Sequence, residues 1–319
     1  MAENYDVVEA LESREKRRVR RRDLFNAFST ASVAAGGFVL ANQAGPLAAQ
    51  SVSDADILNF ALNLEYLEAQ FYVQAATGSG LPESLLGGTG TRGQATGGRR
   101  VNFTDTAVAQ YAREIAADEQ AHVAFLRQAL GSAAVAQPTI DIGTAPNGAF
   151  SNAARAAGLI GPGQSFDAYA NDENFLLAAY IFEDVGVTAY KGASPLISNK
   201  TFLEAAAGIL AVEAYHASLV RTTLYAKGMQ TPSLIDASIA ISNARDSLDG
   251  PSDLDQGLTT SRVSGGVASN IAPLDDNGLA FSRSAGQVLN IVYLNRMAVT
   301  GGGFFPNGVN GTLRMSAAN

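Results

Sequence analysis

The 319-residue chain contains no cysteine and only two histidines. Without cysteine there is no disulfide framework, thiolate zinc site or iron–sulfur cluster. Any metal must then be held by oxygen and imidazole nitrogen. Charged residues are also scarce, at 16%, and their balance is acidic, with a net charge of −8. That balance lacks the basic face a nucleic-acid partner requires. What the chain does have is apolar residues, 47% of the total. They suffice for a sizeable core in one large domain or two small ones.

The two histidines share one setting. His122 follows Glu119 by three residues, and His216 follows Glu213 by three. On a helix that spacing puts Glu and His side by side on one face, where both can hold one ion. A lone Glu-x-x-His is weak: with 13 Glu in 319 residues, chance supplies it for a given His about 4% of the time. Chance supplies it for both about 0.2% of the time.

Two further carboxylates complete a pattern. Glu65 precedes Tyr72 by seven residues, and Glu183 precedes Tyr190 by seven. Seven residues is about two helical turns, so each Tyr shares the face of its Glu. The order along the chain is Glu, Glu-x-x-His, Glu, Glu-x-x-His. That is the constellation of di-iron and di-manganese carboxylate four-helix bundles. The segments LNLEYLEAQFY, REIAADEQAHVAFLRQALG, FEDVGVTAYKG and AAGILAVEAYHASLVR resemble the ferritin-like superfamily, and within it the exported desiccation-related type. The resemblance covers residues 53–228. It implies an all-α, ferritin-like four-helix bundle over residues 50–228, with residues 229–319 as a C-terminal extension packing on it.

Charges buried in a bundle core are costly unless paired or metal-bound. Four carboxylates are neutralised by two divalent ions, and the mixed oxygen and nitrogen set suits iron or manganese. The resemblance therefore implies two iron or manganese ions. His122 and His216 are expected as terminal ligands, Glu119 and Glu213 as bridges, and Glu65 and Glu183 as terminal or semi-bridging ligands. Glu68, one turn from Glu65, competes with it; the matched Tyr spacing favours Glu65. Tyr72 and Tyr190 are read either as hydrogen-bond partners or electron donors to the centre, or as core tyrosines. Asp118 and Asp184 adjoin ligands and are read either as hydrogen-bond partners of them or, the commoner case, as exposed aspartates.

Residues 1–22 are charged and end in Arg20-Arg21-Arg22, and a mild apolar stretch runs on to Leu40 before Pro46-Leu47-Ala48-Ala49. This order resembles a twin-arginine export signal over residues 1–49, with cleavage after Ala49 and a periplasmic product. The stretch is too polar for a spanning helix, so no stable membrane anchor is expected after processing. Helices are expected from about Asp54 to Ala76, with one buried stripe, and from Asp105 to Leu130, capped by Thr104. Two more are expected from Glu173 to Tyr190 and from Lys200 to Ala226, capped by Asn199. A short helix is expected at Phe150 to Ala157, and one at Ala285 to Met297. GTGTRGQATGG lacks the Gly-Lys-Ser/Thr ending of a phosphate loop and reads as a surface connection.

Three functions compete. One is a redox di-metal protein acting on a small oxidant, dioxygen or hydrogen peroxide, as a ferroxidase or in the manner of a manganese catalase. A second is iron binding or storage. The third is a structural stress protein. The extension is read as a cover for apolar surface or as a contact for a homodimer.

Overall fold

Helix α1 (Asp54–Thr77) starts at a capping box. The Asp56 backbone N–H donates to Ser53 Oγ at 3.2 Å, and the Asp56 carboxylate accepts from Ser53 N–H at 2.9 Å. The helix stops at Gly78, whose φ of 84° is left-handed. The computed structural model describes residues 52–263 and 265–319, so the expected export segment, with Arg21 and Arg22, lies outside the described residues.

One buried stripe was expected on α1. Instead 18 of its 24 residues are buried, so it is enclosed on every side. Helix α2 (Thr106–Leu130) covers one side. Its cap is Asp105, not Thr104: the Asp105 carboxylate accepts from the N–H groups of Ala107 and Val108. The Thr104 hydroxyl donates to Asp172 instead. After a short helix α3 (Ala149–Ala156), helix α4 (Asp172–Ala193) is capped by Asn171 and has 16 of 22 residues buried. Helix α5 (Lys200–Gly228) is capped by Asn199. Among the described residues α5 is long and apolar enough to cross a membrane, but its buried Glu213 and His216 suit a core helix.

Side-chain pairings fix the directions. Tyr66 of α1 meets Arg127 of α2, while the Ala75 carbonyl meets Val101 just ahead of α2, so α1 and α2 are antiparallel. Asp184 meets Arg221 and Glu173 meets Lys227, so α4 and α5 are antiparallel too. The two hairpins face each other, with α1 beside α4 and α2 beside α5. The all-α fold is therefore a four-helix bundle with α1 and α4 at its centre.

The glycine-rich connection after α1 is pinned by a parallel pairing of β1 (Ala95–Thr96) with β2 (Ile140–Asp141). Gly97, at φ 86°, lies so close to Gly143 that a Cβ would fall 2.2 Å from its Cα. Composition there serves close backbone packing. A separate small hairpin joins β3 (Ser261–Val263) to β4 (Gly266–Ala268), with Ser261 opposite Ala268.

Past α5, helix α6 (Ser233–Asp249) was not foreseen. Its buried face is Leu234, Ala237, Ser238, Ile241, Ser242, Arg245 and Asp249, more than half polar, which hides the helical period. Helix α7 (Ala285–Val292) ends five residues short of expectation, where Leu294 turns to φ 53°. Beyond it Phe304 packs against Phe182 and Phe150, with ring centroids 4.9 and 5.2 Å away. Three buried arginines bind this segment to the bundle. Arg221 and Arg245 both reach Asp184, at 2.8 and 2.9 Å. Arg283 reaches Asp249 at 2.6 Å and Asp255 at 3.0 Å.

Candidate metal centre

The helical register brings all six predicted ligands into the bundle interior. Glu65, Glu119, His122, Glu183, Glu213 and His216 are all buried. One ligand atom from each of Glu65, Glu119, His122 and Glu213 lies within 4.8 Å of the others. Glu119 sits between the imidazoles. Its Oε2 is 3.4 Å from His122 Nδ1, and its Oε1 is 3.0 Å from His216 Nδ1. His122 Nδ1 also lies 3.2 Å from Glu65 Oε2, and His216 Nδ1 lies 3.7 Å from Glu183 Oε2. The two ring centroids are 6.4 Å apart.

Several of these atoms have no hydrogen-bond partner. Both oxygens of Glu119 and of Glu213, Glu183 Oε2 and His216 Nδ1 are buried and unpaired among the described residues. The 3.0 Å approach of Glu119 to His216 lacks hydrogen-bond alignment, so the donor atoms share a space without satisfying one another. Buried polar atoms are otherwise almost always paired. A cation among them would supply the missing partner, and an all-oxygen-and-imidazole donor set fits iron or manganese.

Electrostatics without a cation point the same way. Burial raises Glu65 to about 7, with the Glu119 charge adding to it. Burial raises Glu183 to about 8. Glu213 is pushed well up, first by burial and then by the charges of Glu68 and Glu119. For Glu119 burial pushes upward, but the two neighbouring imidazoles outweigh it and hold the group at about 2. Burial depresses both histidines, yet the carboxylates around them prevail, leaving His122 at about 11 and His216 at about 9. The cluster therefore holds protons where it has no metal.

Each tyrosine serves the other half of the site. Tyr72 on α1 donates to Glu183 on α4, and Tyr190 on α4 donates to Glu65 on α1. Burial, followed by those carboxylates, pushes both phenols well above their usual range. Asp118 carries His216 through its other nitrogen, with Nε2 3.1 Å from Asp118 Oδ2. Asp184 does not serve the cluster; it turns away to Arg221 and Arg245. Glu68 is buried beside Glu65 but lies outside the tight group of four. Sequence reasoning missed Arg221, Arg245, Arg283, Asp249 and Asp255, because isolated arginines and aspartates carry no local spacing signal.

A family model described as ferritin-like domain matches residues 53–226. The chain is 30% identical over 274 residues to the desiccation-related protein PCC13-62 of Craterostigma plantagineum, covering 81% of this chain and 83% of that one. It is 26% identical over 273 residues to the ferritin-like catalase Nec2 of Nesocodon mauritianus, covering 82% and 85%. No solved structure matches.

Proposed function

This chain belongs to the ferritin-like domain family, and from that premise we propose that it is a di-metal carboxylate protein, using iron or manganese, that protects against oxidative or desiccation stress by acting on dioxygen or hydrogen peroxide. The observation that carries this reading is the buried cluster of Glu65, Glu119, His122 and Glu213 ligand atoms within 4.8 Å, in which all four oxygens of Glu119 and Glu213 have no hydrogen-bond partner among the described residues. The name of one relative, a ferritin-like catalase, supports peroxide as the oxidant. The name of the other supports the stress role.

Glu65, Glu119, His122 and Glu213 would hold one ion, and Glu119, Glu183, Glu213 and His216 the other. Ions bound there would supply redox chemistry toward dioxygen or peroxide. The chain's own part is orientation and exclusion of water. Tyr72 and Tyr190 fix the outer carboxylates, and Asp118 fixes the tautomer of His216 so that Nδ1 faces inward. The experiment is metal analysis of the purified protein, followed by oxygen consumption with the iron form and peroxide consumption with the manganese form. Two ions per chain and oxidant turnover are expected. Absence of bound transition metal after reconstitution would sink the proposal.

We also propose that the protein is exported by the twin-arginine route, on the motif at Arg21-Arg22. Replacing both with Lys should leave precursor in the cytoplasm; unchanged periplasmic delivery would refute it.

A further inference from the structure

Helix α5 carries a stretch apolar enough to cross a membrane, yet only 33% of that stretch is buried. Its outward side holds Ala207, Gly208, Ala211, Ala214, Tyr215 and Thr222, all exposed. Between Glu204 and Lys227 its charged side chains are Glu213 and Arg221, and these are buried, as is His216. The exposed side is therefore uncharged from Glu204 to Lys227, a length of about 35 Å at a helical rise of ~1.5 Å per residue. A neutral, apolar face of that length on a chain with a net charge of −8 marks a contact surface.

Two features of this face match each other. One is a knob: Tyr215, at 71%, is the most exposed large apolar side chain among the described residues. The other is a hole. Helices α4 and α5 and the C-terminal segment enclose a cleft of about 180 Å³, open to solvent on one side. Ala214, Ala217, Leu254, Ile271, Leu274 and Phe281 line it, and Ser218 supplies a hydroxyl. A cavity of about 150 Å³ holds a benzene ring, so the cleft has room for an aromatic side chain. Tyr215 does not enter its own cleft. It follows Ala214 directly, so it stands at the same height but about 100° round the helix. The small side chains of Ala207 and Ala211 lie in between, and small side chains let a second helix come close.

We infer that this face of α5 joins two copies of the chain, the Tyr215 ring of each filling the cleft of the other. A two-fold axis running along α5 exchanges the two sides of the face and keeps height unchanged, so one rotation seats both rings in both clefts. That is the self-complementary contact of a closed dimer. Because one face carries both the knob and its hole, the occupant is a second copy and not a foreign chain. The ring meets an apolar wall and its hydroxyl reaches Ser218, which suits the apolar body and polar tip of tyrosine. A strip about 35 Å long and about 20 Å wide, the width of α5 with the segment beside it, covers about 700 Å². A standard interface buries about 800 Å² on each side. The C-terminal segment then has a part in assembly, because Ile271, Leu274 and Phe281 form the outer wall of the cleft. The inference is independent of the metal reading.

Sedimentation equilibrium of the full chain at micromolar concentration should give twice the mass of one chain. Tyr215→Ala removes the knob, and Ala214→Phe blocks the hole from an exposed position. Each should weaken the dimer at least about tenfold and melt like the parent, since neither change reaches the core. Should A214F fail to fold, Leu274→Asp, at the 41% exposed rim of the cleft, puts a charge in the path of the ring and should weaken the dimer likewise. Y215A keeps an open cleft and A214F keeps its tyrosine, so a mixture of the two rebuilds one of the two contacts. The mixture should form mixed dimers more tightly than either variant pairs with itself. A monomeric parent overturns the inference. A parent dimer that Y215A and A214F both leave intact places the interface elsewhere and overturns it too. A mixture no tighter than the separate variants shows that the tyrosine does not enter the opposite cleft. Binding of phenol by a monomeric parent assigns the cleft to a small aromatic molecule in place of a second copy.

Discussion

Tyr190 on α4 donates its phenol hydrogen to Glu65 on α1, so the outer carboxylate of one half of the site is oriented from the other half. Tyr72 returns the contact to Glu183. The reciprocal bonds join the two central helices at the level of the cluster, and neither tyrosine has freedom to serve as inert filler. Tyr190→Phe removes a donor from a fully buried carboxylate while leaving the ring in place. Loss of such a partner costs about 1–3 kcal/mol. Denaturant unfolding of the metal-loaded protein should show that loss for Y190F and a similar one for Y72F. Parent-like midpoints in both variants would mean that the phenols do not hold the carboxylates.

The metal-free protein should lose stability as pH rises. Glu65 and Glu183, at about 7 and 8 when folded, sit above their usual 4.5, so the folded state binds more protons than the unfolded chain between pH 4.5 and 8. His122 and His216, at about 11 and 9, sit above 6.5, and their contribution is fully present below that pH and lost as pH rises through the folded values. Both effects have the same sign. Glu119, held at about 2, acts oppositely, but only below pH 4.5. Melting of chelator-treated protein should therefore fall from pH 5 to pH 9. Adding manganous ion should reverse most of the fall at the upper end. A melting temperature that rises over this range in the metal-free protein would contradict the protonation scheme.

Removal of Arg283 should unfold the attachment of the C-terminal segment. Its guanidinium is buried and donates to Asp249, Thr188 and Asp255 at 2.6, 3.0 and 3.0 Å. Arg283→Ala leaves the buried Asp249 without its cation, while Asp255 keeps Arg245 and Ser242. Breaking a buried pair from one side costs about 3–5 kcal/mol. Urea unfolding should show a drop of that order, and limited proteolysis should cut the chain beyond α6. A change below about 1 kcal/mol, the size of a surface pair, would show the network to be dispensable.

How much of this was legible beforehand depended on whether a residue's role is set by spacing or by distant neighbours. The four bundle helices and the buried Glu and His residues they bring together were visible because Glu-x-x-His and Glu-to-Tyr distances are helical periods, and a period survives folding. The cross-helix destination of Tyr72 and Tyr190 was not visible, since same-face spacing cannot say which helix lies opposite. Helix α6 was hidden by its function: Ser238, Ser242, Arg245 and Asp249 are polar residues on a buried face, and apolar periodicity misses them. Asp184 was misread because its neighbour Glu183 faces the cluster, while one residue along a helix rotates the side chain about 100°. That rotation carries Asp184 to Arg221 and Arg245.

The histidines differ in their support, and so should the two metal positions. His216 Nε2 is held by Asp118 at 3.1 Å. Asp118 precedes Glu119 directly; the residue in the same place before Glu213 is Val212. The repeat therefore gives His216 a carboxylate partner and offers His122 none from the matching position. A carboxylate on the outer nitrogen fixes the imidazole's tautomer and raises its basicity, and losing one typically costs about 10–100-fold in metal affinity. Titration of the metal-free protein with manganous or ferrous ion should thus resolve two unequal steps. Asp118→Ala should weaken the tighter step by about 10–100-fold and leave the other near its parent value, bringing the two together. Asp118→Asn, which keeps the shape and can still hydrogen-bond, should fall between. The side chain of Asp118 is 42% exposed, so neither change removes core packing, and the fold should melt normally without metal. Two equal steps in the parent, or an equal loss at both positions in D118A, would show that the carboxylate does not distinguish the two ions.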